Sequence, residues 1–212
     1  MGINDSAFQS LLEDLCNKAC ELGASEAVLI ETRDIVLDER ALFKCLVPMC
    51  ANYGVNLTCP PNSISFDDFK RILLKYHSAI LLRMGNKACG KPSEVEGKNS
   101  LSEIWNGDAV GSGDYIKILR QGQAKLYEII ERIESLCLRE GYNFSAGLSA
   151  GGCSLCDECV GSNSGLPCRH PFKARPSMEG LGIDVAATAR KAGMQLEFNQ
   201  ETSSWVGLIL VD

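Results

Sequence analysis

Phe8, Leu11, Leu12, Leu15, Ala19 and Leu22 recur at the three- and four-residue spacing of an amphipathic helix, which predicts a helix over 5–23 ending at Gly23. AVLIE (27–31) is a short apolar run of strand length, and a second helical stretch is expected at about 34–43. Ser65 stands where an N-cap belongs, ahead of FDDFKRILLKY with two aspartates in its first turn. SAILLRM (78–84) reads as the next strand. Residues 85–114 are dominated by Gly, Lys, Ser, Asn and Asp and form a polar excursion.

A long helix is predicted at about 115–140. Leu126, Ile129, Ile130, Ile133, Leu136 and Cys137 form its apolar stripe, with Glu128, Glu131, Arg132, Glu134 and Arg139 assigned to the polar face. FSAGLSA (144–150) reads as a strand running into a cysteine-rich loop. Ser177 is expected to cap a helix at about 182–192, and MQLEF with SSWVGLILV is expected to close the fold as a β-hairpin. Strands alternating with helices over 212 residues predict one domain, an α/β or α+β sandwich, spanning 1–212.

Composition narrows the function. Hydrophobic residues are 45% of the chain and charged residues 23%, as in soluble globular proteins. A net charge of −6 argues against nucleic acid, whose phosphates need a basic surface. No apolar run reaches the roughly 20 residues that span a bilayer. The first residues carry neither the basic start nor the apolar centre of a secretory signal, so a cytoplasmic location without membrane contact is expected.

Cysteine changes the picture most. There are eleven, an odd number, in a chain expected in a reducing compartment, where metal binding or catalysis is a better use of thiols than disulfides. Four lie in the loop 151–176, Cys153, Cys156, Cys159 and Cys168, spaced C-x2-C-x2-C-x8-C. A triplet with two-residue gaps can wrap one turn and present three thiolates to a 4Fe-4S cluster, as in bacterial ferredoxins. Zinc is the alternative, although four-cysteine zinc sites usually combine two separated CxxC pairs.

Three more, Cys45, Cys50 and Cys59, lie in the loop 44–65, with Pro60 and Pro61 following. Two cubane clusters would want eight ligands and the two loops hold seven. The second set could be a three-thiolate centre with an exchangeable position, Cys168 could cross to the first loop, or Cys89 could complete the count. Cys16, Cys20 and Cys137 fall on helices and read as core residues.

Arg169, His170, Lys173 and Arg175 place cations beside the last of these cysteines, suited to raising a cluster's potential or to receiving a substrate or partner. The glycine-rich pieces 107–114 and 146–152 lack P-loop and dinucleotide patterns.

KCLVPMCANYGVNLTCPPN and CSLCDECVGSNSGLPCRHPFKARPSMEGLGIDV resemble a family of prokaryotic metal-binding proteins known by a domain of unknown function, DUF2284. The matching positions are the seven loop cysteines with Arg169, His170, Pro171, Arg175, Pro176, Ser177 and Glu179. The family's presence in anaerobes and archaea implies a setting where exposed clusters survive. These readings lead to an iron–sulfur protein carrying one or two 4Fe-4S clusters and transferring electrons to a redox partner protein. An enzyme that uses a three-cysteine cluster on a small-molecule substrate, for sulfur removal or lyase chemistry, and a structural zinc module are the alternatives.

Overall fold

A computed structural model describes residues 5–87, 113–196 and 202–212. Its centre is a four-stranded antiparallel sheet of β1 (Glu26–Glu31), β2 (Ser78–Lys87), β3 (Ala146–Ser149) and β4 (Thr202–Val211), in the order β1-β2-β4-β3. The two central strands read as continuous apolar runs because both faces of the sheet are covered. In β2, Ile80, Leu82 and Met84 point to one core while Ala79 and Leu81 point to the other. In β4, Ile209 and Val211 join the first core and Val206, Leu208 and Leu210 the second.

Helices α1 (Asp5–Glu21) and α4 (Gly113–Arg139) cover the first face, burying Leu12, Leu15, Ala19, Ile129, Ile130 and Ile133. The other face is covered by α3 (Phe66–Leu73), α5 (Val185–Lys191) and the segment carrying Met178, Leu181 and Ile183. The fold is an α+β sandwich, the second of the two architectures the strand–helix alternation allowed. Among the described residues no helix is long and apolar enough to cross a membrane.

Two glycines set how closely α4 lies on the sheet. A Cβ at Gly147 would stand 2.2 Å from Ile130 Cγ2, and one at Gly207 would stand 2.9 Å from Ile130 Cδ1. These positions are on adjacent strands, where Gly147 pairs with Ile209 and Ser149 with Gly207.

Several expectations are met. Ser65 caps α3, its hydroxyl accepting from Asp68 N at 3.1 Å. The first helix, the first strand and the long helix lie within a few residues of their expected bounds.

Others need correction. The second helix, α2 (Arg40–Leu46), starts later than expected, because residues 35–37 are extended and Leu37 bridges Ile183. Cys45 therefore sits in the last helical turn rather than in a loop. Asp184, not Ser177, caps α5, with its carboxylate accepting from Ala187 N at 2.9 Å. Ser177 instead accepts from Gly180 N at 3.2 Å in the short turn Glu179–Leu181. Residues 194–196 are not strand, and β4 has β2 on one side and β3 on the other; 197–201 lie outside the described residues. Cys16 and Cys137 are buried as expected, but Cys20 is exposed.

Two predictions follow from this packing. Gly147→Ala should cost about 1–3 kcal/mol by overpacking. In chemical denaturation the loss should be less than additive with that of Ile130→Ala, which removes the colliding methyl. Burial, aided by neighbouring charges, pushes the thiols of Cys16 and Cys137 up to about 11, against about 8.5 in an unfolded chain. The unfolded chain therefore loses its thiol protons first, and stability falls as pH rises from about 8.5 toward 11. Melting curves across that window should show a shallower fall for Cys16→Ala/Cys137→Ala than for the parent.

Candidate metal centre

The first cysteine loop is built from successive tight turns. Cys50 N donates to Cys45 O at 3.0 Å and Tyr53 N to Cys50 O at 2.9 Å. Cys59 N donates to Asn56 O at 3.1 Å, and Cys59 O accepts from Asn62 N and Ser63 N. The result places Cys45, Cys50 and Cys59 within electrostatic reach of one another. Burial first, then the Cys50 thiol and the Glu179 carboxylate, raises the thiol of Cys45. Cys59 is the most buried of the seven, and burial pushes it up to about 12.

The second loop leaves the end of β3. Gly151 takes a positive φ of 77° there, a left-handed conformation that glycine adopts without strain, and its N–H donates to Glu179 Oε2 at 2.8 Å. Burial also raises the thiol of Cys153, which has Cys168 and Cys156 as electrostatic neighbours. Cys168 Sγ accepts the backbone N–H of His170 at 3.3 Å. Cys153, Cys156, Cys159 and Cys168 are all half-buried.

The loops dock on each other. Asn56, almost fully buried, donates from Nδ2 to Cys153 O at 3.0 Å and accepts at Oδ1 from the hydroxyl of Thr58 at 3.1 Å. Ser162 Oγ donates to Gly54 O at 2.9 Å, and Ser177 N donates to Thr58 O at 3.0 Å. Gly152 packs so tightly on the Asn52 amide that a Cβ would come within 2.4 Å of its nitrogen. The two cysteine sets thus lie side by side at one end of the sheet.

Helix α4 fixes the second loop from beneath. Gln123 Nε2 donates to Gly152 O at 2.9 Å, and its Oε1 accepts from the Ser154 hydroxyl. One turn on, Tyr127 is 1% exposed. Its hydroxyl lies against Ser149 and Cys153, within the field of Cys59, yet has no hydrogen bond of normal geometry. Two turns further, Glu134 accepts from Arg175 Nε at 2.8 Å and from Gly147 N at 2.6 Å. The stripe rule had placed Glu134 on the solvated face, but its side chain is 17% exposed.

The cations expected near the cysteines have different surroundings. Arg175 is turned inward, with Nε and Nη2 on Glu134 and Nη1 on the carbonyls of Phe172 and Ala174. Arg169 Nη1 donates to Glu158 O at 2.7 Å, and Lys173 Nζ is 4.0 Å from Glu131. His170 is half-buried. Cys89 lies outside the described residues.

Sequence reasoning missed Gln123, Tyr127 and Asn56. Polar residues at 123, 127 and 134, sharing the helix face of Ile130, were the available signal for the first two.

The donor chemistry is that of a soft-metal site: thiols in two sets, with backbone N–H groups nearby and a hydroxyl buried without a partner. The side chains do not stand as a finished coordination sphere. Among the described residues no three His, Cys, Asp or Glu are gathered closely enough to hold a metal ion. Thiols that keep their protons gain nothing from converging, and it would take an ion's charge to favour an ionised, converged form.

No curated protein and no solved structure matches the chain. Residues 28–211 match the family described as "Predicted metal-binding protein (DUF2284)", a span that includes both cysteine loops and the helix beneath them. The chain belongs to that family.

Proposed function

We propose that the two cysteine loops hold iron–sulfur centres and that the protein transfers electrons. In this reading one 4Fe-4S cluster is held by Cys153, Cys156, Cys159 and Cys168, and a second centre by Cys45, Cys50 and Cys59. The observation that carries the proposal is the docking of two separately encoded thiol sets side by side. Adjacent centres suit electron passage between them. The C-x2-C-x2-C triplet suits a cubane better than a tetrahedral ion.

The N–H donor at Cys168 would raise the potential of a cluster held there, as donors to cluster sulfurs do. Arg169, His170 and Lys173 are placed to tune the centre or meet a redox partner. Arg175, paired with Glu134, would act by holding the loop.

A second reading draws support from Glu179. Its carboxylate acts on both Cys45 and Cys59, in a set with only three thiols. A metal there would have a coordination position that no loop cysteine fills, which is the arrangement of open catalytic sites. Substrate chemistry at that position would make the protein an enzyme acting on a small molecule, with sulfur removal or lyase chemistry as the candidates.

Protein purified without oxygen should be brown, contain iron and acid-labile sulfide, and lose visible absorbance on reduction. Cys45→Ala and Cys153→Ala should each lose about half the iron if the centres are independent; colourless protein with stoichiometric zinc would overturn the proposal. Substrate or thiol analogues should perturb the EPR spectrum only if the open-position reading holds. Because Asn56 ties the loops together, Asn56→Ala should lower iron content at both centres. Iron retained in full would show that the loops bind without mutual support.

A further inference from the structure

The Tyr127 hydroxyl is the one tyrosine hydroxyl among the described residues that is fully buried without a hydrogen-bond partner. It sits on the helix face that secures the second loop, one turn after Gln123. The hydroxyl of Ser149 and the thiol of Cys153 are among the groups that act on it, and the first loop contributes Cys59 to its surroundings. Leaving a buried hydroxyl unsatisfied is unfavourable, and a phenylalanine would fill the same space without that cost. Neutral thiol sulfur is a weak acceptor, so Cys153 does little to relieve it. A metal-bound cysteine sulfur carries negative charge and accepts far more strongly.

We infer that Tyr127 is a positioning residue of the metal centre, its hydroxyl donating to the Cys153 sulfur once that sulfur is bound to metal. This rests on the reading that the cysteine loops hold metal, but not on whether the metal is iron. The geometry supplies what such a donor needs. Gln123 holds the carbonyl of Gly152 next to Cys153, Asn56 holds the carbonyl of Cys153 itself, and α4 is locked to β3 and β4 through Ile130. The donor is buried from water on a helix seated closely against the sheet. It therefore favours the bound form of the site over the free form, as hydrogen bonds to metal ligands do elsewhere.

The sign of the effect separates this role from a packing role. Tyr127→Phe should leave the metal-free protein as stable as the parent or more so, because the unsatisfied hydroxyl is gone. The same change should weaken metal binding about 10-fold or more. The probe is cobalt(II) alone, titrated anaerobically into the full-length chain and followed by its thiolate charge-transfer absorption, with melting curves recorded with and without metal.

Cys153→Ala serves as the reference for loss of the loop's sulfur. Weaker cobalt binding with undiminished metal-free stability supports the assignment. Equal loss of stability in both forms, or unchanged cobalt affinity, overturns it and leaves the metal-binding reading standing. A parent chain that binds neither cobalt nor iron removes both.

Discussion

Helix α4 lies across β3 and β4 at a distance that only glycine at positions 147 and 207 permits, with Ile130 filling the space the missing side chains leave. Everything at the cysteine end of the molecule inherits that closeness. Gln123 and Tyr127 reach the second loop, and Glu134 reaches Gly147 and Arg175, because their helix is seated against the strand from which that loop emerges. A helix riding a methyl group higher would leave the amide of Gln123 short of Gly152. Packing of apolar surface thus sets the position of polar atoms, and those in turn set the backbone around Cys153.

The second loop then serves as the surface on which the first is laid. Asn56, Asn52 and Gly54 of one loop meet Cys153, Gly152 and Ser162 of the other. Most of these contacts are made by backbone groups or small polar side chains rather than by the thiols. The thiols of Cys45, Cys59 and Cys153 are raised by burial. Arg175, one of the cations that follow Cys168 in sequence, is paired with Glu134 instead.

Much of this was legible in the chain. The apolar periodicities of 5–23 and 115–140 are long enough to be unambiguous, and the runs at 78–84 and 204–211 are too apolar for anything but strands covered on both sides. The short elements were harder. DIVLDERALF contains helical spacing, but Ile35–Leu37 are held extended by pairing with the segment around Ile183, a partner nearly 150 positions away. MQLEF alternates like a strand, yet Met194 is placed by burial in the second core rather than by a ladder. At the site, cysteine spacing was readable because the seven cysteines fall in two short stretches of sequence. Tyr127 and Gln123 were not, since each looks like an ordinary member of an amphipathic helix until the loop that meets it is known.

The hydrogen bond from Asn56 to Cys153 joins positions 97 residues apart. Such a contact cannot form early, because closing so long a loop costs more entropy than one hydrogen bond returns. It is favoured once β2, β4 and β3 lie side by side and hold the two loops near each other. A nascent or partly folded chain exposes its thiols as two unrelated groups, free to be oxidised or to take up the wrong ion. The sheet thereby governs whether the sulfurs stand as one group or as two.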